Sequence, residues 1–176
     1  MTGFSDLPLP EAQALIDSSV ETLAAETIGL DEAAGRTLRA PFISQADWPN
    51  VDCAAKDGYA IRAGDSEGAG EYNPVLLPLL PETGETLPPG AATVVTCGTA
   101  LPSGADAVMA FEAAQRSSAA MLEVLEVLAP VARGAGVDRR GSELRAGEVA
   151  LSGPRRLRPQ DLALLAAFGV AGVTVT

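Results

Sequence analysis

Carboxylates and arginines are the side chains of this sequence whose types and spacing point to chemistry. Asp57 precedes Gly58, and this dipeptide favours a tight turn because glycine adopts a positive φ that aspartate also tolerates. Such a turn would hold the Asp57 carboxylate in front of a short strand over 59–62, where it is available as a functional group. Most Asp-Gly pairs only shape a turn, so a purely structural role for Asp57 is the alternative.

Seven of the twelve basic residues lie in one window, from Arg133 to Arg158. Arginine presents a planar set of N–H donors that suits oxyanions, which makes this window a candidate anion-binding segment. The alternative is a solvated loop, because runs of charge are usually surface features. Residues 132–148 are also rich in glycine, which predicts an exposed loop system around Arg140-Gly141.

Residues that are missing exclude several kinds of site. The chain has no histidine and only two cysteines, so it holds neither a Ser-His-Asp or Cys-His catalytic set nor the four ligands of a zinc site. Neither G-x-x-x-x-G-K-[ST] nor G-x-G-x-x-G occurs. Cys53 and Cys97 are candidates either for soft metal ligands or for small buried hydrophobes, and we expect the buried role.

The charge balance argues against two classes of partner. The formal net charge is -11, whereas nucleic acids and anionic membranes both require a basic face. The sequence has no run of 18 apolar residues and no secretory signal, so we expect neither a membrane span nor export. Two cysteines are compatible with a reducing compartment, and the expected location is the cytoplasm.

The elements that must position these side chains are mostly extended. The 176 residues allow one domain or two small ones, and a hydrophobic content of 47% supports a packed core. Apolar periodicity predicts helices over 10–25 and 159–168. About eight to ten short extended segments surround them. They include 74–80, expected to be an edge strand or an irregular extended segment because of its prolines, and 121–128, where strand is preferred over helix. The predicted class is therefore mostly β with two helices, an α+β fold.

Four collinear segments carry a family resemblance. Residues 53–62 read CAAKDGYAIR and resemble the pattern NSAMDGYAVR of the molybdopterin molybdenumtransferases, the MoeA family that includes the gephyrin E domain. Residues 30–38, LDEAAGRTL, resemble its L-x-x-A-x-G-R-x-L segment. Residues 98–108, GTALPSGADAV, resemble T-G-A-x-L-P-x-G-A-D-A-V. Residues 139–147 and 164–171 resemble the R-R-G-E-D loop and the L-L-A-S-x-G helix end.

The resemblance implies a fold, a reaction and an assembly. The expected fold is the family's N-terminal region, an elongated domain (residues 1–46 and 133–176) with an inserted β-rich domain (47–132). A large pterin-binding domain follows it in family members, and this chain stops on a predicted strand as if cut at that boundary. The family inserts molybdate into adenylated molybdopterin, releases AMP and uses Mg²⁺. It works as a homodimer whose cleft is lined by both subunits, and this chain alone is not expected to suffice for catalysis.

The resemblance also assigns site residues. Asp57 and Glu143 are the expected catalytic carboxylates, and Asp57 is the expected Mg²⁺ ligand because that ion prefers carboxylate oxygens. Arg139, Arg140, Cys97 and Ser142 are the expected substrate-binding residues. Several polar family positions differ here, which leaves a non-catalytic dimerisation or partner-binding module as the alternative. The differing positions are Cys53, Ala54, Lys56, Cys97, Asp138 and Ser142.

Overall fold

A computed structural model describes residues 7–81, 86–119 and 122–176 of the chain. The described residues form a mostly β structure with two α-helices, which confirms the predicted class. In chain order the elements are α1 (Leu9–Ser19), β1 (Glu26–Gly29), β2 (Thr37–Leu38), β3 (Phe42–Ile43), β4 (Cys53–Ala54), β5 (Gly58–Ile61), β6 (Val75–Leu80), β7 (Ala92–Val95), β8 (Ala107–Ala110), β9 (Ala114–Ala119), β10 (Leu122–Val127), β11 (Val137–Asp138), β12 (Val149–Leu151), β13 (Arg155–Arg156), α2 (Pro159–Ala167) and β14 (Gly172–Val175).

The chain folds into two compact units. The terminal unit comprises the residues up to Ile43 together with Val149–Thr176, and the inserted unit comprises Ser44–Glu148. Residues 133–148 lie with the inserted unit, whereas the sequence placed them with the elongated domain. The expected bounds of the family's two domains stay a prediction.

The terminal unit is built on a four-stranded antiparallel sheet in the order β1-β14-β2-β13, and β3 pairs separately with β12. Helix α2 begins at Pro159, a residue suited to a first helical position, and Gly169 follows its end with a φ of 71°. Its Leu165 is fully buried with Leu157 and Val175 in one apolar cluster. The predicted helix over 159–168 is therefore confirmed to within one residue.

Helix α1 is shorter than predicted. It ends at Ser19 instead of residue 25, and none of its residues is buried. The hydroxyl groups of Ser18 and Ser19 both donate to the Leu15 carbonyl, at 2.9 and 2.7 Å, so the last turn contains side chains that compete for backbone acceptors. Val20 then adopts an extended conformation. Neither helix of the described chain has the length and apolar character required to span a bilayer.

The inserted unit contains a six-stranded sheet in the order β8-β5-β7-β6-β10-β9. All neighbours are antiparallel except β6 and β7, which run parallel. The prediction that residues 74–80 form an edge strand or an irregular extended segment is wrong, because β6 is a regular strand that lies between β7 and β10. Pro78 lies opposite Val124 of β10, and the parallel pairing of β6 with β7 involves only Leu79 and Leu80, the two residues that follow the proline. The strand preferred for 121–128 is confirmed over Leu122–Val127 by β10, and Met121 lies outside the described residues.

Strand β5 lies between β8 and β7 in this sheet and fixes the position of Asp57, which immediately precedes it. Its residues Tyr59 and Ile61 are buried in the main apolar cluster. Gly58 is not among the residues with positive φ, so the predicted reason for glycine at this position is wrong. Glycine is required instead because a Cβ here would overlap the Met109 carbonyl oxygen and lie 2.9 Å from the Met109 carbonyl carbon.

Candidate functional site

The candidate site is organised around the motif stretch, residues 48–62. Its middle is held by backbone hydrogen bonds on two sides. The Ala54 N–H donates to the Thr99 carbonyl at 2.9 Å and the Gly98 N–H donates to the Ala54 carbonyl at 2.8 Å. On the other side β4 pairs with β11, and the Ala55 N–H donates to the Gly136 carbonyl at 2.9 Å. Two segments distant in sequence are thereby fixed to the motif stretch.

Asp57 is exposed, and its carboxylate binds one of these flanking segments. Oδ1 of Asp57 accepts the backbone N–H of Cys97 at 2.8 Å. Two of the predicted site residues therefore meet directly. The described residues provide no partner for Oδ2, which leaves one carboxylate oxygen of Asp57 available to a ligand. Asp57 accordingly has both a structural contact and a free acceptor.

The arginine loop, residues 139–147, is joined to the motif stretch by Asp52. Oδ2 of Asp52 accepts Nη1–H of Arg139 at 3.0 Å, and Oδ1 accepts the backbone N–H of Arg140 at 2.8 Å. The Arg139 side chain remains 50% exposed and that of Asp52 40% exposed. One carboxylate therefore orients the side chain of the first arginine and the backbone of the second.

Asp47 makes the equivalent pair of contacts with the rest of the arginine loop. Its Oδ1 accepts the Ala146 N–H at 2.9 Å, and its Oδ2 accepts Nε–H of Arg140 at 2.7 Å. The Ala146 amide, followed by the Arg140 guanidinium, holds the pKa of Asp47 below its usual value. Asp47 is therefore ionised at neutral pH, and its charge is complementary to Arg140.

Backbone bonds complete the attachment of the arginine loop. Trp48 donates to the Leu144 carbonyl at 2.7 Å and accepts the N–H groups of Glu143 and Leu144, each at 3.1 Å. Gly141 has a φ of 69°, which favours glycine, and donates to the Pro49 carbonyl at 2.9 Å. The conformation of the loop is thus defined by its contacts with residues 47–52.

The other two predicted site residues of the loop are exposed. Ser142 donates its backbone N–H to the Arg139 carbonyl at 2.9 Å and so closes a turn. Glu143 is anchored only through its backbone, and the described residues offer no partner to its carboxylate. Both side chains are available to solvent or a ligand, and the structure does not bring either into contact with Asp57.

The two cysteines differ in their exposure to solvent. Cys97 is exposed, so the expectation of a small buried hydrophobe is wrong for this residue. Cys53 is half-buried, and burial together with the charges of Asp138 and Asp52 raises the pKa of its thiol. A thiol that resists deprotonation is a poor metal ligand, because metals bind the thiolate. The role of soft ligand is therefore disfavoured for Cys53.

Among the predicted metal ligands, only the Asp57 carboxylate is a candidate to bind Mg²⁺. In the ranges 7–81, 86–119 and 122–176, no group of three or more cysteine, aspartate or glutamate residues is arranged to hold a metal ion. Asp57 offers one free oxygen. Mg²⁺ is commonly held by one or two carboxylates, with waters and substrate phosphates as further ligands. Asp57 therefore fits as one ligand of a substrate-bound Mg²⁺ and does not form a metal-binding cage.

The remaining arginines of the basic window serve other contacts. Arg133 pairs with Asp106 at 3.2 Å, while Arg155 and Arg158 pair with Asp161 of helix α2 at 3.1 and 3.2 Å. The arginines that are close in sequence therefore pair with carboxylates in different parts of the fold. Arg139 and Arg140 are the members of it that contact the motif stretch.

Sequence reasoning missed Asp47 and Asp52. They are separated from the arginines they contact by 87 to 93 residues, so no local pattern connects them. One signal was available: two acidic residues flank Trp48-Pro49 in a chain whose arginine pair needs counter-charges. That signal would have identified the residues but not which arginine each one contacts.

Comparisons with known proteins identify relatives of the whole chain. The family model described as the MoeA N-terminal region (domain I and II) matches residues 7–169. The molybdopterin molybdenumtransferase of Staphylococcus aureus (strain MRSA252) is 27% identical over 175 residues, which cover 96% of this chain and 41% of that protein. Molybdopterin molybdenumtransferase 2 of Mycobacterium tuberculosis is 29% identical, with 94% of this chain and 41% of that protein covered.

A solved structure agrees with the fold. The crystal structure of the molybdopterin biosynthesis moeA protein from Pyrococcus horikoshii OT3 matches 93% of this chain and 44% of its own, with a TM-score of 0.84 and 38% identity. The chain thus spans about two fifths of the length of the curated relatives it matches. On the extent of the family match and the similarity of fold, the chain belongs to the MoeA N-terminal region family.

Proposed function

We propose that this chain is the N-terminal part of a molybdenumtransferase that acts in molybdenum cofactor biosynthesis. Its reaction would insert molybdate into adenylated molybdopterin with release of AMP. The observation that carries the proposal is that Asp57 and the arginine loop are both fixed to one motif stretch. We infer that this carboxylate and the two guanidinium groups, which one stretch of chain supports, together bind an anionic substrate.

Each exposed residue has a proposed role on this surface. Arg139 and Arg140 bind oxyanion groups of molybdate or of the substrate phosphates, because guanidinium groups donate several N–H bonds to such oxygens. Ser142 and Cys97 contribute polar contacts, and Glu143 is a second carboxylate on the exposed side of the loop. Asp57 orients the substrate through its free oxygen. When bound there, Mg²⁺ would neutralise phosphate charge.

The chain is not proposed to act alone. It covers 41% of the length of its curated relatives, so the complete site requires further protein, including a pterin-binding part. We propose that the working form is a homodimer whose cleft receives residues from both subunits. The cytoplasm is the proposed location, supported by two cysteines that are free in the structure.

A kinetic experiment separates a functional Asp57 from a structural one. Asp57→Asn keeps an oxygen that can accept the Cys97 N–H but removes the charge. We expect molybdate insertion by the native, full-length polypeptide to fall at least about a hundredfold, as when a charge-stabilising group is removed from an active site. Asp65→Asn is the matched control, because Asp65 also accepts a backbone N–H, from Gly90 at 2.7 Å.

Two outcomes count against the proposal. An unchanged rate of molybdate insertion in Asp57→Asn would show that Asp57 has only a structural role. An equal loss in Asp57→Asn and Asp65→Asn would show that the effect arises from folding. The control is expected to retain wild-type insertion, and the thermal midpoints of both variants should lie close to that of the wild type.

One observation favours a second candidate function. Arg139 and Arg140 are each already ion-paired, with Asp52 and Asp47, so the loop has a complete structural explanation without a ligand. In that case the chain would be a non-catalytic module for dimerisation or partner binding. The test is the wild-type native polypeptide: a stable dimer that supports no molybdate insertion would favour the module over the enzyme.

A further inference from the structure

Every carboxylate oxygen of Asp47 and Asp52 accepts a hydrogen bond from the arginine loop. Each has one oxygen on a backbone N–H of the arginine loop and the other on a guanidinium N–H. The donor atoms on the loop are those of Arg139, Arg140 and Ala146. Each of the four carboxylate oxygens of Asp47 and Asp52 is therefore bonded to the arginine loop.

The arginines are in the opposite situation. A guanidinium group carries five N–H donors, and the contacts with Asp47 and Asp52 occupy one on each arginine. The side chains of Arg139 and Arg140 remain 50% and 66% exposed. Each guanidinium is thus anchored through one donor, while at least half of each side chain remains accessible to a ligand.

From this asymmetry we propose that Asp47 and Asp52 are positioning residues for oxyanion binding. They hold the guanidinium groups of Arg139 and Arg140 in place before the ligand arrives. The ligand then does not have to order two long side chains, which would otherwise weaken its binding. This inference rests on the proposed function, since it assumes that the arginines bind an oxyanion of the molybdate or phosphate type.

The proposal makes a prediction opposite in sign to simple electrostatics. Removing a negative charge near an anion site strengthens anion binding if the carboxylate acts only through its charge. Removing it weakens anion binding if the carboxylate acts by holding the arginine. Asp47→Asn and Asp52→Asn are the variants to use, because each removes the charge while keeping the size of the side chain.

The experiment measures molybdate binding and arginine dynamics in the native, full-length polypeptide. Titration calorimetry with molybdate should show affinities about threefold to tenfold weaker in Asp47→Asn and in Asp52→Asn, the factor for one side chain that must be ordered on binding. In ¹⁵N-edited NMR spectra, the Arg140 Nε–H signal should exchange slowly with water in the wild type and quickly in Asp47→Asn. Asp65→Asn, which removes a carboxylate that contacts no arginine, should match the wild type in both measurements.

The outcomes separate this inference from the proposed function. Molybdate affinity that stays the same or rises in Asp47→Asn and Asp52→Asn overturns the positioning role and leaves the proposed function standing. Fast exchange of the Arg140 Nε–H in the wild type overturns it as well. If the wild type binds no molybdate and Arg139→Ala and Arg140→Ala leave insertion unchanged, the proposed anion site and the positioning role fall together.

Discussion

Replacing Gly58 by alanine tests how closely strand packing constrains the residue beside Asp57. An alanine Cβ at this position would overlap the Met109 carbonyl oxygen and lie 2.9 Å from the carbonyl carbon and 3.2 Å from Cγ1 of Val108. The Met109 carbonyl belongs to β8, which pairs with β5 over four residues, so it cannot rotate away as a flexible side chain would. Relief therefore requires the two strands to separate.

The expected cost follows from that geometry. Overpacking a well-packed site costs about 1–3 kcal/mol, and an immovable backbone obstacle places Gly58→Ala near the upper end, at about 3 kcal/mol. Gly64→Ala is the matched control in the same unit, because a Cβ there meets nothing within 4 Å and Gly64 lacks a positive φ. The control is expected to be neutral or slightly stabilising, by up to about 1 kcal/mol.

Urea unfolding followed by tryptophan fluorescence measures both variants. Trp48 is the single tryptophan and lies in the inserted unit, so its signal reports the unit that contains both glycines. With an m-value of about 2 kcal/mol/M, Gly58→Ala should lower the midpoint by about 1.5 M. A Gly58→Ala midpoint within about 0.2 M of the wild type would refute the steric argument.

Two further predictions concern a buried carboxylate and the arginine loop. The hydrogen bond from the Arg158 side chain lowers the pKa of Asp161, burial raises it, and the Arg158 N–H lowers it further, so the net shift is downward. The stabilisation by the ionised carboxylate is therefore present above about pH 4 and is lost as the pH falls further. Asp161→Asn should therefore lower the free energy of unfolding by about 2 kcal/mol at pH 7. The difference from the wild type should shrink as the pH falls through the lowered folded-state pKa of Asp161, as measured by urea unfolding across pH; a constant difference would contradict this. Gly141→Ala should cost about 1–2 kcal/mol because its φ is 69°, and it should speed exchange of the Arg140 Nε–H; unchanged exchange would show that the turn does not position the arginine.

The parts of the fold that local sequence determines were predictable. Helix α2 follows from Pro159 at its start and Gly169 after its end. The predicted length of helix α1 was too long because an apolar stripe does not reveal the serine hydroxyl bonds that accompany its last turn. The glycine at 58 was misread because its requirement comes from β8, a strand about fifty residues away in sequence.

The candidate site was predictable only in part. The resemblance gave Asp57, Arg139 and Arg140. In the structure Asp57 lies in the motif stretch, and both arginines are bonded to Asp52 of the same stretch. The resemblance gave no information about Asp47 and Asp52, whose function depends on loop contacts formed across roughly ninety residues of chain. Long-range pairing of carboxylates with arginines requires the fold, since sequence shows charges but not their neighbours.

Anomalous diffraction at the molybdenum edge tests the central claim most directly. Crystals of the native, full-length polypeptide would be grown with molybdate and adenylated molybdopterin. We expect a molybdenum peak in contact with Arg139 or Arg140 and near Asp57. A fully occupied molybdenum peak contacted only by residues outside this chain would contradict it.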